Sequence, residues 1–434
     1  MYDPLTRRAF LAGATLTVAA GCATSTLPPR INTARVIPGK LSPNEKLNIA
    51  GVGIGYMGKG NLSRCVEENI VALCDVDDVL AAPVQALYPT ASLHRDYRAM
   101  LDARGKEIDA VVIATPDHTH AVIALAAMAL GKHVYLQKPL AHTVEETRAL
   151  VEAARVSGVQ TQMGNQGHSS NEVRRLCEWI DDGVIGPVRE VHAWSDRPVG
   201  GSVSSTFPIM ARPADTPPVP DTLDWGLWLG PAPQRPYHPI YHPRTWRGFC
   251  DFGTGALGDM GCHILDPVFW ALRLGLPETV QATTTHYEPE VLAETFPRAA
   301  IVRYQFPARG KLPPVQITWY DGRLKPPVSH HLDPGVEFGG NGALLIGEKG
   351  TIMHGSHGAS GLTLYPEALR NAYTEPTPTI PRIEQEEAAH EKDWIRACKT
   401  GIPASSNFDY GGPLTEMVLY GVQAVRQPDV LIRL

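Results

Sequence analysis

Residues 46–75, KLNIAGVGIGYMGKGNLSRCVEENIVALCD, admit few folds. An apolar run at 47–52 is short enough to be a buried strand. Gly53, Gly55 and Gly58 follow in the spacing G-x-G-x-x-G, then a helix-like stretch, then a second apolar run at 70–74 that ends on Asp75. Strand, tight turn, helix, strand and acid in this order make a dinucleotide-binding unit. Gly53 allows the turn, Gly55 lets the backbone approach a pyrophosphate, and Gly58 lets the helix pack on the strand. Tyr56 and Met57 lie between them, where a helix N-terminus offers free N–H groups and the positive end of its dipole. Asp75 stands twenty residues after Gly55, where a carboxylate binds both ribose hydroxyls and repels a 2′-phosphate. The expected cofactor is therefore NAD.

A chain of 434 residues holds two domains with sizeable cores. Its net charge of −6, without a long basic block, argues against a nucleic-acid partner. The first residues do not read as fold. Thr6-Arg7-Arg8-Ala9-Phe10-Leu11 precedes a modest apolar run, which resembles a twin-arginine export signal, and Gly21-Cys22 resembles a lipoprotein cleavage site with Cys22 as the acylated residue. The expected location is periplasmic, with Cys22 a candidate membrane anchor. Export of a folded protein to a compartment without free NAD requires a nucleotide that stays bound. The six other cysteines show no C-x-x-C spacing, so a metal site built on them is not expected.

The expected organisation is a signal at 1–22, a linker at 23–44, a nucleotide-binding domain at 45–170, a substrate and oligomerisation domain at 171–385, and closing helices at 386–434. Between 46 and 164 apolar strands (110–114, 134–136, 160–163) alternate with helical patterns (78–87, 94–101, 120–130, 144–156), which predicts a parallel sheet with helices on both faces. Thr143 and Glu146 form a capping box for the last of these. After a helix at 171–182 and a strand at 188–194, residues 196–250 are rich in Pro, His, Trp and Tyr. A helix at 256–274 and strands at 279–286, 300–306, 315–320, 343–347 and 351–354 predict an open, mostly antiparallel mixed sheet. The fold class is thus α/β followed by α+β.

Four stretches carry candidate chemistry. Thr115-Pro116-Asp117-His118-Thr119-His120 follows a strand of the parallel sheet and is either a capped helix start or, through Thr115, Pro116 and His120, a nucleotide contact. Gln137-Lys138-Pro139 ends the next strand, and its peptide is a candidate for cis. Lys138 is either a surface lysine or a donor to a substrate oxygen. Asp259 and His263 are four apart on a helix and share a face, so the carboxylate would orient an imidazole base; otherwise they are a cap and a half-buried histidine. Tyr237, His238, Tyr241, Trp246 and Arg247 lie in the aromatic loop, which is a sugar-stacking wall, a Pro-stiffened cover over a sheet, or both.

Together these motifs, with Gly131-Lys132-His133-Val134, Gly186-Pro187-Val188 and the stretch 255–266, resemble the glucose–fructose oxidoreductase / inositol dehydrogenase family, Gfo/Idh/MocA, from about Leu47 to the C-terminus. The resemblance implies a Rossmann domain followed by an open mixed sheet, often in dimers or tetramers. It places Lys138, Asp259 and His263 on the family's catalytic residues and Asn165 on a frequent cofactor or substrate contact, with Gln137 and Lys138 beside the cofactor. The family usually reads Glu-Lys-Pro; here Gln137 accepts a hydrogen bond from Lys138 without adding charge, which would lower the lysine's pKa. The exported members it resembles act on glycosides. The implied activity is hydride transfer between a sugar carbon, C3 above all, and firmly held NAD. The alternative is a redox-neutral glycosidase similar to the α-N-acetylgalactosaminidases, which oxidise, eliminate and re-reduce. A third reading is a binding protein without catalysis.

Overall fold

The computed structural model describes residues 45–199, 207–285, 288–384 and 387–434. The export signal, Cys22 and the linker lie outside them. β1 (Asn48–Val52) is almost wholly buried, as a central strand covered on both faces must be. It stops at Gly53, whose φ of 72° turns the chain into α1 (Tyr56–Ser63). The alternation continues through β2 (Asn69–Cys74), α2 (Asp78–Gln85), β3 (Ser92–His94), α3 (Tyr97–Arg104), β4 (Ala110–Ile113), α4 (Asp117–Ala129), β5 (His133–Leu136), α5 (Val144–Ser157) and β6 (Thr161–Met163). The strands are all parallel in the order β3-β2-β1-β4-β5-β6, a doubly wound sheet whose order reverses between β1 and β4. The Thr143–Glu146 capping box opens α5 as expected.

One helix begins later than its sequence pattern. Residues 94–101 read as helical, but His94 closes β3 and the helix starts at Tyr97, where the Asp96 side chain accepts the Arg98 amide. A strand of three residues has too little alternation to be read against a following helix.

The chain then forms α6 (Asn171–Asp182), β7 (Val188–Trp194), α7 (Trp225–Leu229), α8 (Gly255–Ala271), β8 (Thr279–Thr284), α9 (Pro289–Glu294), β9 (Ala300–Phe306), β10 (Val315–Tyr320), β11 (Gly342–Gly347), β12 (Thr351–His354), β13 (Thr363–Tyr365), α10 (Glu367–Ala372), α11 (Ala389–Thr400), α12 (Phe408–Arg426) and β14 (Ile432–Arg433). The second sheet runs β13-β12-β11-β7-β10-β9-β8-β14, with β7 and β10 parallel and the other pairs antiparallel.

α8 is the axis of the molecule. Of its 17 residues only Asp259 is not fully buried. Glycines make its tight surroundings possible: a Cβ on Gly258 would lie 1.9 Å from Thr254 Oγ1, and one on Gly261 would lie 3.0 Å from Val418 of α12. Pro267, inside the helix, removes the amide that would otherwise bond the His263 carbonyl four residues earlier. One continuous apolar core joins the two sheets through α8 and α12. A second core under the first sheet packs Leu47, Ile49, Leu73, Val112 and Tyr135 against Trp394, Ile395 and Cys398. α11, from the far end of the chain, is thus part of the nucleotide-binding unit's interior. The six cysteines of the described residues are buried thiols.

Candidate active site

At the carboxyl ends of β1, β4 and β5, where the strand order reverses, lies a cavity of about 750 Å³. Gly53, Gly55, Tyr56, Met57 and Asp75 line one end, Thr115, Pro116 and His120 the middle, and Gln137, Lys138 and Asp259 the other end. Residues of the aromatic loop, among them Trp228, His242, Arg244, Trp246 and Arg247, close it from above.

The phosphate turn has no room to spare. A Cβ on Gly53 would lie 2.7–2.8 Å from Thr115 and the Ala114 backbone, and one on Gly58 would lie 1.9 Å from the Gly53 carbonyl oxygen. Gly58 therefore faces the strand rather than the cavity. The N-terminus of α1 carries no side-chain cap and no acid in its first turn, which leaves its amides to an anion. These features fit a dinucleotide. Asp75 lines the cavity, and it also holds the turn: Oδ2 accepts the Ile54 and Gly55 amides at 2.9 and 3.3 Å, and Oδ1 accepts the Asp77 amide at 3.1 Å. Burial pushes its pKa up, and the three amides oppose the shift.

His120 lies between two carbonyls, Pro139 O and Thr115 O, each 2.8 Å away. Two flanking carbonyls favour the doubly protonated ring; burial opposes this and prevails, leaving the pKa below its ordinary value. The ring braces the turn that presents Lys138, whose peptide bond to Pro139 is cis. His118 similarly ties the start of α4 to the Phe252 and Trp228 carbonyls.

At the Lys138 end the charges interlock. Lys138 Nζ donates to Asp259 Oδ1 and to the Asp259 carbonyl, both at 2.8 Å. Arg247 Nε lies 3.2 Å from Asp259 Oδ1, and Arg197 Nε lies 3.8 Å from Oδ2. Arg247 also donates to both oxygens of the fully buried Asp117 at 2.8 and 3.1 Å, and Thr254 Oγ1 donates to the same carboxylate at 2.7 Å. Burial alone would raise the Asp259 pKa; the Lys138 ammonium, then the Arg247 and Arg197 guanidinium groups, outweigh it and hold the carboxyl well below the usual range.

Four expectations change here. Asp259 does not orient His263: its oxygens face Lys138, Arg247 and Arg197, while His263 Nδ1 is buried with no hydrogen-bond partner among the described residues. Gln137 does not accept from Lys138; its amide donates to Asn61 Oδ1 at 2.9 Å, and the carboxylate that holds the ammonium is Asp259. Asn165 does not line the cavity, because its amide group bridges Asp266 and Ser406 behind α8. Tyr237, His238 and Tyr241 do not line it either. The two tyrosines belong to a small aromatic core with Trp225, Trp228, Phe249 and Phe252, and His238 pairs with Asp215. Trp246 and Arg247 are the members of that set which reach the cavity.

Sequence reasoning missed the buried Asp117–Arg247 pair, the Arg197 contact and the His242–Asp77 bond of 2.8 Å. Each joins residues more than sixty positions apart, and no local spacing signals them. His263 is buried one turn after Asp259 and does not line the main cavity. Burial first, then the charges of Lys138, His357 and Arg247, hold its pKa well below the ordinary value.

Comparison with known proteins agrees with this geometry. Residues 47–165 match the model of an oxidoreductase family with an NAD-binding Rossmann fold (GFO_IDH_MocA), and residues 209–296 match that family's C-terminal alpha/beta domain. The chain is 28% identical to a levoglucosan dehydrogenase of Pseudarthrobacter phenanthrenivorans over 51% of its own length and 50% of that protein's. It is 32% identical to an inositol 2-dehydrogenase of Klebsiella pneumoniae over 32% and 43% of the two lengths. The chain thus spans half or less of these curated relatives. Among solved structures, the WlbA dehydrogenase of Bordetella pertussis, in complex with NADH and UDP-GlcNAcA, superposes with a TM-score of 0.62 at 18% identity, covering 90% of this chain and 99% of the other. A levoglucosan dehydrogenase in complex with NADH and levoglucosan gives 0.58 at 18% identity, with 90% and 99% covered. At such identities the likeness is one of fold.

Proposed function

We propose that the chain is one of the Gfo/Idh/MocA oxidoreductases, whose NAD-binding Rossmann and C-terminal domain models match residues 47–165 and 209–296, and that it oxidises a secondary hydroxyl of a sugar, glycoside or polyol. The observation that carries this reading is the Lys138–Asp259–Arg247 cluster at one end of the nucleotide cavity. Bound along the cavity, NAD supplies the hydride acceptor. Gly53, Gly55 and the first turn of α1 would hold its diphosphate, and Asp75 its ribose. Lys138 is aimed by two hydrogen bonds to Asp259 and donates to the substrate oxygen as charge develops there. Arg247, fixed by Asp117, holds the Asp259 carboxylate in place. His263, one turn beyond Asp259 and kept neutral by burial and by nearby cations, is the base assigned in this reading, which requires the substrate hydroxyl to reach its ring past the Lys138 end of the cavity.

Carbon C3 of a pyranose is the proposed position, since a ketone there acidifies the C2 hydrogen and also permits the redox-neutral glycosidase reaction. The twin-arginine-like start supports export, and a firmly held, slowly exchanging nucleotide is the consequence. The test is a spectrum of the purified protein for bound nicotinamide, then a panel of sugars and glycosides scored for keto-sugar, reduced cofactor and free aglycone. Keto-sugar with NADH supports the dehydrogenase; free aglycone without net NADH supports the glycosidase. Lys138→Met abolishes either product. Turnover unchanged in that variant, or nucleotide lost during gel filtration, overturns the reading.

A further inference from the structure

Hydrogen bonds leave the orientation of His263 unspecified. The carboxylate four residues before it is engaged by three cations, and its own Nδ1 is buried without a partner among the described residues. Another imidazole touches the ring instead. The His357 centroid lies 3.9 Å from that of His263, with 34° between the planes. His357 belongs to the second sheet's connections, on the 3-10 turn His357–Ala359 that follows β12.

That turn is wedged in place. A Cβ on Gly167 would lie 2.2 Å from the Gly358 nitrogen, and Gly358 has a φ of 72° with its Cβ position 2.7 Å from Ser170 Cβ. Ser356 Oγ and His357 Nδ1 are hydrogen-bonded at 2.8 Å, which fixes the second ring. His263 is buried whereas His357 is exposed. The ring contact therefore joins a closed position to an open one.

We propose that His357 is a positioning residue of the reaction: its ring, packed at a tilt against His263, sets the plane of that base. The inference rests on the reading of His263 as the base. A ring in close contact supplies orientation where no hydrogen bond does. Two imidazoles in contact resist charging together. The other groups that act on His263 are Lys138 after β5, Arg247 before α8 and His390 of α11, and each opposes its protonation as His357 does. Asp259, the neighbouring acid, has its charge matched by Lys138, Arg247 and Arg197.

The experiment uses the full-length enzyme with the best substrate of the panel and compares H357A, H357F and H263A. H357A is expected to lose about tenfold or more in kcat with KM changed less than about twofold, because alignment of the base acts in the transition state. H357F keeps the ring and should recover kcat on the alkaline plateau to within about threefold. Its acid limb should move to higher pH, because the imidazole that opposed protonation is gone. Thermal melts exclude loss of fold. Full kcat in H357A, or equal losses in H357A and H357F with unchanged melts, overturns the proposal. H263A separates the two readings: an active H263A sinks the base assignment itself, whereas an inactive H263A beside a fully active H357A sinks only the role of His357.

Discussion

Gly58 and Gly51 sit seven residues apart and differ sharply in what an added methyl would meet. At Gly58 the obstacle is the Gly53 carbonyl oxygen at 1.9 Å, which is backbone of the phosphate turn itself; at Gly51 it is the end of the Leu62 side chain at 2.8 Å. Gly58→Ala should therefore displace α1 from the turn and weaken NAD binding by about tenfold or more, about 1.4 kcal/mol. Gly51→Ala should cost about 1–3 kcal/mol of stability as overpacking, with NAD affinity nearly unchanged. Titration of nucleotide into both variants checks the contrast. His263 gives a second residue-scale prediction. A base must be neutral to accept a proton, and it is neutral above its folded pKa, which lies below the ordinary 6.5. kcat/KM should accordingly stay level as pH falls through 6.5 and decline only beneath it. An acid limb centred at or above 6.5 would mean that another group is the base.

The segment 242–247 works as an element although its only regular structure is the start of the 3-10 turn Thr245–Gly248. His242 bonds Asp77 at 2.8 Å near the ribose end, the Arg244 guanidinium lies 4.2 Å from the centre of the Tyr56 ring, and Arg247 reaches Asp117 and Asp259 at the far end. Its loop is further pinned to the first sheet, where Asp224 donates its amide to the Val76 carbonyl at 2.9 Å. The segment thus crosses the whole cavity like a strap. Arg244→Ala should raise the rate of nucleotide dissociation about two- to tenfold, the loss of one partly exposed cation–π contact worth ~0.5–1 kcal/mol. Exchange of bound NAD for a labelled nucleotide measures it; an unchanged rate would show that the strap does not control release.

Across the whole molecule, the nucleotide-binding unit is not built from consecutive residues. Trp394 and Ile395 of α11 fill the space beneath β1, β4 and β5, and α12 packs on α5, α8 and β8. Residues 45–170 expressed alone would expose that apolar face. The fragment should aggregate or remain unfolded by circular dichroism, and Trp394→Ala in the full chain should cost about 3–5 kcal/mol. A soluble, NAD-binding fragment with a cooperative melt would refute this.

The legible part of the protein was local. A glycine turn bounded by two apolar runs, a capping box at Thr143 and period-two strands such as 300–306 and 315–320 each declare themselves within a few residues, because sterics and burial act there at short range. The sequence by itself thus determined the parallel sheet, the nucleotide turn and the mixed sheet after it. It also brought Lys138 and Asp259 forward as candidates, without showing that they bond to each other. Only the tertiary structure decided which partner each charged or aromatic side chain takes. Asp259 and His263 share a helix face, yet a carboxylate gains more from three cations than from a neutral imidazole, so the pair suggested by spacing gave way to Lys138, Arg247 and Arg197. The same choice sent Tyr237 and Tyr241 into an aromatic core and brought His357 onto His263 from a distant turn. Such contacts depend on how the two sheets close around α8, and that closure is a property of the whole chain rather than of any stretch of it.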